Sequence, residues 1–226
     1  VAATGARVVP VVLQDAGSGD VLFIGYANDQ ARARAEFARA HPGVRVEPKR
    51  FDWGGEAAAL RAGQVDVAFV WLPADLSGLH SETVHTEPRV VGLPAGHPLA
   101  SAEGVSIMDV KDEPLMWTER APREWVDWWA VNPRPDGSAP RWGPTNDNVE
   151  EMLEQVAEGT AICFAPSSMA LYYARPGLSW VPLTDVEPLR VALAWADGGP
   201  LVEAFAAIVR ALAGVTRTSA ASPRPR

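Results

Sequence analysis

"LRAGQVDVAFVW", Leu60–Trp71, decides how the rest of the chain is read. A short helical run stops at Gly63 and feeds a continuous apolar strand. That pattern belongs to strands covered on both faces in a parallel sheet. The strand ends on Trp71, and the carboxyl ends of such strands are where open α/β sheets place ligands. Upstream, "VLFIGY" (21–26) is a strand of the same kind. Asn28 or Asp29 caps the following helix, "DQARARAEFARAH", which Pro42-Gly43 stops. "VRVEPKRF" (44–51) alternates like a second strand, with Pro48 marking an edge or an end. "GGEAAALRAG" (54–63) is a short helix closed by Gly63. Strand and helix therefore alternate through residues 21–71, which predicts a parallel sheet with right-handed crossovers.

A second series begins near "RVVGLPAGHPLA" (89–100), a strand running into Pro94. "PLMW" (114–117) reads as a strand and "REWVDWWAV" (123–131) as a helix. "NPRPDGSAPRWGP" (132–144), with four prolines and two glycines, must be irregular. "NVEEMLEQVAEG" (148–159) is the clearest helix. Val149, Met152, Leu153, Val156 and Ala157 share a face, Asn148 with Glu151 makes a capping-box-like start, and Gly159 a stop. "TAICFAP" is a strand, "SSMALYYAR" a short helix capped by Ser167, and "LSWVPLTD" and "PLRVALAWA" are strands. "PLVEAFAAIVRALAG" (200–214) is an amphipathic helix facing inward with Leu201, Phe205, Ile208, Val209 and Leu212. "ARVVPVVLQDAGSGD" has no clear element, since Pro10 interrupts any helix, and the tail "VTRTSAASPRPR" reads as disordered.

The 226 residues suffice for one large domain or two lobes with cores of their own. A formal charge of −8 repels phosphate backbones, so this chain is a poor nucleic-acid binder by itself. The one cysteine, Cys163, sits in an apolar run and reads as a buried small hydrophobe. No apolar run approaches the ~18 residues of a membrane span, and the first residues lack a signal-peptide pattern. The expected location is the cytoplasm.

Two α/β units in series, followed by a strand and a helix that need a home, suggest two lobes with the chain crossing between them twice. The ordered stretches "VLFIGYAND", "FARAHPGVRVE", "LRAGQVDVAFV", "PRVVGLPAGHPLA", "VSIMDVKDEPLM", "NDNVEEMLEQVAEGTAICFAPSS" and "PLRVALAW" resemble the effector-binding domain of LysR-type transcriptional regulators. The likeness covers about residues 20–212. It implies the type 2 periplasmic-binding-protein fold: α/β, two-lobed, each lobe a mostly parallel sheet flanked by helices, with two hinge crossings. Lobe I would be 20–90 plus 194–214, lobe II 91–193, and residues 1–19 a remnant of a linker. The helix-turn-helix head of those regulators is missing from this sequence. The resemblance implies a cytoplasmic small-molecule sensor, side-by-side dimers, and an effector, often a carboxylate or an aromatic, held between the lobes. A carrier or enzyme reusing the fold is the alternative, and a secreted solute-binding protein is a third reading.

By that resemblance the ligand contacts are Tyr26, Asn28, Trp71, Thr118 and Asn146, with Phe164 added; Arg120 and Arg123 read equally as charge partners or as solvated loop arginines. Three helix starts, at Asn28-Asp29, Thr145-Asn146 and Ser167-Ser168, either bind a carboxylate through free N–H groups or cap themselves. Of nine tryptophans, Trp125, Trp128 and Trp129 share one helical face, as lobe core or as an aromatic wall. His80 and His85 read as solvated loop residues, His41 and His97 as turn residues, none with metal-ligand spacing. "GSGD" precedes its strand, so it is no dinucleotide loop. No nucleophile–base set assembles, and neither Lys49 nor Lys111 sits in an apolar setting. The sequence implies no cofactor, and no ligand identity or direction of regulation follows from it.

Overall fold

The computed structural model describes residues 9–14, 21–27, 29–49, 51 and 53–219, with side chains for 30–49, 51 and 53–213. Contacts divide the chain into two units, residues 1–48 with 198–226 and residues 49–197.

In the first unit β1 (Val9–Gln14) pairs antiparallel with β2 (Val21–Ala27), Val12 lying opposite Ile24. Thus part of the stretch read as a linker is a strand. Helix α1 (Asp29–Ala40) packs on α6 (Pro200–Ser219). Ala33 and Phe37, four apart on α1, are buried, as are Phe205, Val209 and Leu212 on α6. The Phe37 and Phe205 rings meet edge-on at 5.5 Å. Leu201, expected on this apolar face, is instead exposed at the first turn of α6. The strand expected over 44–51 does not form: residues 44–49 join no ladder.

In the second unit, α2 (Glu56–Arg61) leads to β3 (Ala68–Leu72), β4 (His80–Glu87) and, from far down the chain, β10 (Leu189–Trp195). They form a sheet in the order β3–β10–β4, antiparallel throughout, with Val70 opposite Ala192. The polar segment holding His80 and His85 is therefore an edge strand, not a loop, and its polar side chains suit an edge. A second sheet is centred on β5 (Arg89–Pro94), flanked antiparallel by β8 (Cys163–Pro166) and β9 (Leu178–Pro182). A parallel bridge between Leu115 and Ile162 links β8 to β6 (Leu115–Trp117), which runs parallel to β7 (Trp142–Thr145).

The expected mostly parallel sheets are thus corrected: among the described residues most ladders are antiparallel. Alternation of strand and helix fixes a parallel pair only when the crossover returns beside its own starting strand. Here β2 pairs with β1, and β3 takes β10 as its neighbour. The chain changes sheets at Pro88 and again between β9 and β10, so β10 belongs whole to the first sheet.

Strand β5 is covered on both faces. Val91 and Leu93 pack with Val105, Ile107, Val110 and Val181 on one side. On the other, Val90 packs with Met152, Leu153 and Val156 of α4 (Val149–Ala157), and with Cys163 and Met169. Asn148 caps α4 by accepting from the Glu151 backbone N–H at 3.0 Å, as its capping box predicts. Gly92 sits where a Cβ would lie 2.8 Å from both Cys163 Sγ and the Trp180 ring. Among the described residues no helix is long and apolar enough to cross a membrane.

Gly92→Ala should destabilise the protein by about 1–3 kcal/mol, because the buried Cys163 thiol and the half-buried Trp180 ring would both have to shift. Urea unfolding followed by far-UV circular dichroism measures this.

Candidate functional site

The carboxyl ends of β3, β6 and β8 converge on a cavity of about 60 Å³ within the second unit. Trp71 is the last residue but one of β3, Trp117 ends β6 with Thr118 just after it, Asn146 follows β7, and Phe164 lies on β8. Residues distant in sequence thus meet at one cavity. Helix α3 (Arg123–Ala130) supplies Trp125, Val126 and Trp129, and α5 (Ser167–Tyr172) supplies Met169. Trp53, held in the left-handed region at φ 51°, closes a further side.

Four of the six residues expected to contact ligand therefore line one cavity: Trp71, Thr118, Asn146 and Phe164. Tyr26 lies on β2 in the other unit, and its side chain is outside the described residues. Asn28 lies outside them altogether. Trp53, Met152 and Met169 also line it without having been expected there. The i, i+4 spacing of Trp125 and Trp129 carried the signal for the aromatic wall, and both residues form it. Trp71 lies tilted at 5.7 Å from Trp129, which lies 5.6 Å from Trp125, and Trp53 lies 6.0 Å from Trp125.

The wall is apolar, but it is not polar-free. Asn146 is 4% exposed, and its amide nitrogen donates to the Trp117 carbonyl at 3.0 Å. That bond fixes the amide's orientation and leaves Oδ1 buried without a partner. The indole N–H groups of Trp53 and Trp129 are likewise buried and unpartnered. Thr118, 5% exposed, accepts from the Arg120 backbone N–H at 3.2 Å and keeps its own proton to donate. Buried polar atoms in this condition favour a ligand that offers both an acceptor and a donor.

Two of the three helix starts considered as anion sites are filled from within, and the third, at Asn28-Asp29, lies outside the described side chains. At α4, the Asp147 N–H donates to Glu151 Oε2 at 2.8 Å, and Asn148 caps the next turn. At α5 the expected Ser167 cap is corrected: Pro166 occupies that position, and the buried carboxylate of Glu87 accepts from the Ser168 N–H at 2.9 Å and the Ser167 hydroxyl at 3.3 Å. Glu87 thus takes the place an anionic ligand would take. Arg120 binds Asp147 through two nitrogens at 2.7 and 2.8 Å. Arg123 pairs with Asp127 one turn along and stacks on Trp142 at 4.9 Å. Both arginines are satisfied at the surface, so neither serves the cavity as a charge partner.

Behind the wall lie two arginines that the sequence reading passed over. Arg89 of β5 and Arg134, just past α3, are each 2% exposed. The Arg89 guanidinium sits over the rings of Trp128 and Trp129, at 4.5 and 4.9 Å. Burial, and then the neighbouring Arg134, pull its pKa down to about 9 against the pull of Glu187, so it stays charged at neutral pH. Cys163 also reaches the cavity lining. Burial pushes its thiol up to about 12, opposed by a hydrogen bond from the Gly92 backbone. Among the described residues no three His, Cys, Asp or Glu side chains gather as a metal site.

Residues 30–216 match the LysR substrate binding domain family, and the chain belongs to that family. It is 27% identical to the HTH-type transcriptional regulator AlsR of Bacillus subtilis over 135 residues, 59% of this chain and 44% of that protein. The chain spans about half the length of the curated relatives it matches. Its fold matches the effector binding domain of a variant of BenM, a regulator of Acinetobacter baylyi, with a TM-score of 0.69 at 22% identity. That match covers 81% of this chain and 88% of the other. The BenM domain with its effector benzoate matches with a TM-score of 0.67 at 23% identity, over 86% and 88% of the two chains. The two-lobed α/β architecture expected from sequence is the fold of these domains.

Two results should follow. Glu87→Ala should cost about 1–3 kcal/mol in urea unfolding, since it leaves the Ser168 N–H and the Ser167 hydroxyl without their acceptor, while Glu87→Gln, whose amide oxygen still accepts, costs less. The native protein at pH 8 should show no thiol reactive toward a disulfide reagent, and one in denaturant, because the Cys163 thiolate is suppressed.

Proposed function

We propose that the chain is the small-molecule sensor of a cytoplasmic LysR-type transcriptional regulator, and that its effector occupies the cavity beside Trp71. The observation carrying this is the set of unpartnered polar atoms in an otherwise apolar lining: Trp53 Nε1, Trp129 Nε1 and Asn146 Oδ1. Together with the Thr118 hydroxyl they would orient a ligand, while the rings supply contact area. BenM's domain takes benzoate as its effector. By that likeness the ligand here is a small carboxylate, an aromatic, or both.

The lobes read from sequence, 20–90 with 194–214 and 91–193, are retained in this proposal, with borders moved to where the chain changes sheets. Tyr26 and Asn28, which the family resemblance implies as ligand contacts, are retained in it as residues of lobe I. The cavity, at about 60 Å³, is smaller than the roughly 150 Å³ that houses a benzene ring, so binding an aromatic would widen it. A ligand that fits one arrangement of the lobes better than another shifts the population toward it. In a side-by-side dimer that shift would reach the DNA-reading heads of the whole regulator. The described lining holds no Asp, Glu, His or Lys, which supports a binding site over a catalytic one.

A thermal-shift screen against small carboxylates, aromatic acids and amino acids tests this. A ligand at 100 times its Kd should add about 2.7 kcal/mol of stability, and it should be recovered chemically unchanged. Trp71→Ala and Asn146→Leu should each weaken binding of the hit about tenfold or more, with unchanged far-UV circular dichroism. Full affinity in both variants would place the ligand elsewhere, and consumption of the hit would make the protein an enzyme.

A further inference from the structure

Arg89 and Arg134 both reach the carboxyl end of α3, where Arg89 Nη2 donates to the Trp129 carbonyl and Arg134 Nη1 to the Ala130 carbonyl. Those bonds cap two orphan carbonyls of the helix. Capping accounts for one N–H of each guanidinium and no more. Arg89 Nε and Arg134 Nε and Nη2 are buried without partners. Neither arginine makes an ion pair with a carboxylate among the described residues. The nearby Glu187 instead accepts from Trp128 Nε1 at 3.1 Å and pairs loosely with Arg190 at 3.8 Å. Around the pair are rings: the Phe164 centroid lies 5.9 Å from Arg89 Cζ and 5.5 Å from Arg134 Cζ. Two cations of one sign, in contact with no carboxylate and feeling Glu187 and Asp136 only through space, are thus held in a medium of low dielectric constant, where their field is weakly screened.

Phe164 and Trp129 have the arginines behind them and the cavity in front. No charged side chain lines that cavity to cancel the field. We propose that Arg89 and Arg134 set the charge of the ligand: the cavity takes an anion, with the pair supplying counter-charge from behind Phe164 and Trp129. This rests on the reading of the cavity as the ligand site and adds which two side chains select the ligand's charge. The pair acts through its field rather than by contact, as positioning residues. It also reverses, at one place, the sign of a chain whose net charge of −8 repels anions elsewhere.

Fluorescence quenching tests the charge without knowledge of the effector, because six of the nine tryptophans line the cavity. The probes are iodide, caesium and neutral acrylamide, applied at constant ionic strength to the wild type, Arg134→Met and Arg89→Met. The wild type should be quenched more strongly by iodide than by caesium. Iodide quenching should fall about threefold or more in Arg134→Met, with acrylamide quenching unchanged, and Arg134→Lys should restore it. If Arg89→Met fails to fold, as circular dichroism would show, the Arg134 variants decide. Iodide quenching that is equal in the wild type and Arg134→Met, with acrylamide reaching both, overturns the charge proposal and leaves the cavity reading standing. Failure of acrylamide to quench any of the proteins overturns both, since small solutes would then not enter.

Discussion

Burial of β5 on both faces is the constraint to which the rest of the second unit is registered. A strand without a solvent face tolerates no slip, because a shift of one residue would exchange its two packed surfaces. Val91 is fixed opposite Phe164 on β8 and Val181 on β9. Through β8 the same register reaches Ile162, Leu115 and β6, and so Trp117 and Thr118 at the cavity. The close fit of Gly92 against Cys163 and Trp180 belongs to this constraint. The aromatic wall is positioned by a core that itself contains little chemistry.

On that frame the site combines two environments that seldom coexist. Its lining is aromatic and apolar, yet it leaves buried hydrogen-bonding atoms without partners. Each such atom costs free energy in the empty protein. Val131, a β-branched residue in the left-handed region at φ 54°, ends α3 nearby. Glycine is the usual residue at such a helix end. Strain and unsatisfied polarity gather in one region, a combination common at binding sites.

Much of this was legible in the sequence. Apolar runs bounded by glycine and proline located β3, β5, β6 and β8, and the capping box located α4 to within a residue. Trp71, Thr118, Asn146 and Phe164 came from the family resemblance, with the strand-end position of Trp71 read from the sequence as well. What escaped has physical causes. Strand direction depends on which distant strand becomes the neighbour, and no local pattern shows that β10 inserts between β3 and β4. The Ser167 cap was displaced by Glu87, a residue 80 positions away. Arg89 and Arg134 look like ordinary surface cations, because nothing in their neighbours reveals that rings will close over them. The spacing of Trp125 and Trp129 was visible, but it serves a core and a pocket wall equally well.

Glu87 and Arg89 stand on either side of Pro88, where the chain leaves one sheet for the other. The first holds the amino end of α5 and the second the carboxyl end of α3. Both helices contribute side chains to the cavity, so one peptide step is fastened to two of its walls. A tilt of the backbone at Pro88 cannot move one helix end while leaving the other in place. The step works as a yoke: whatever turns one sheet against the other opens or narrows the chamber from two sides at once.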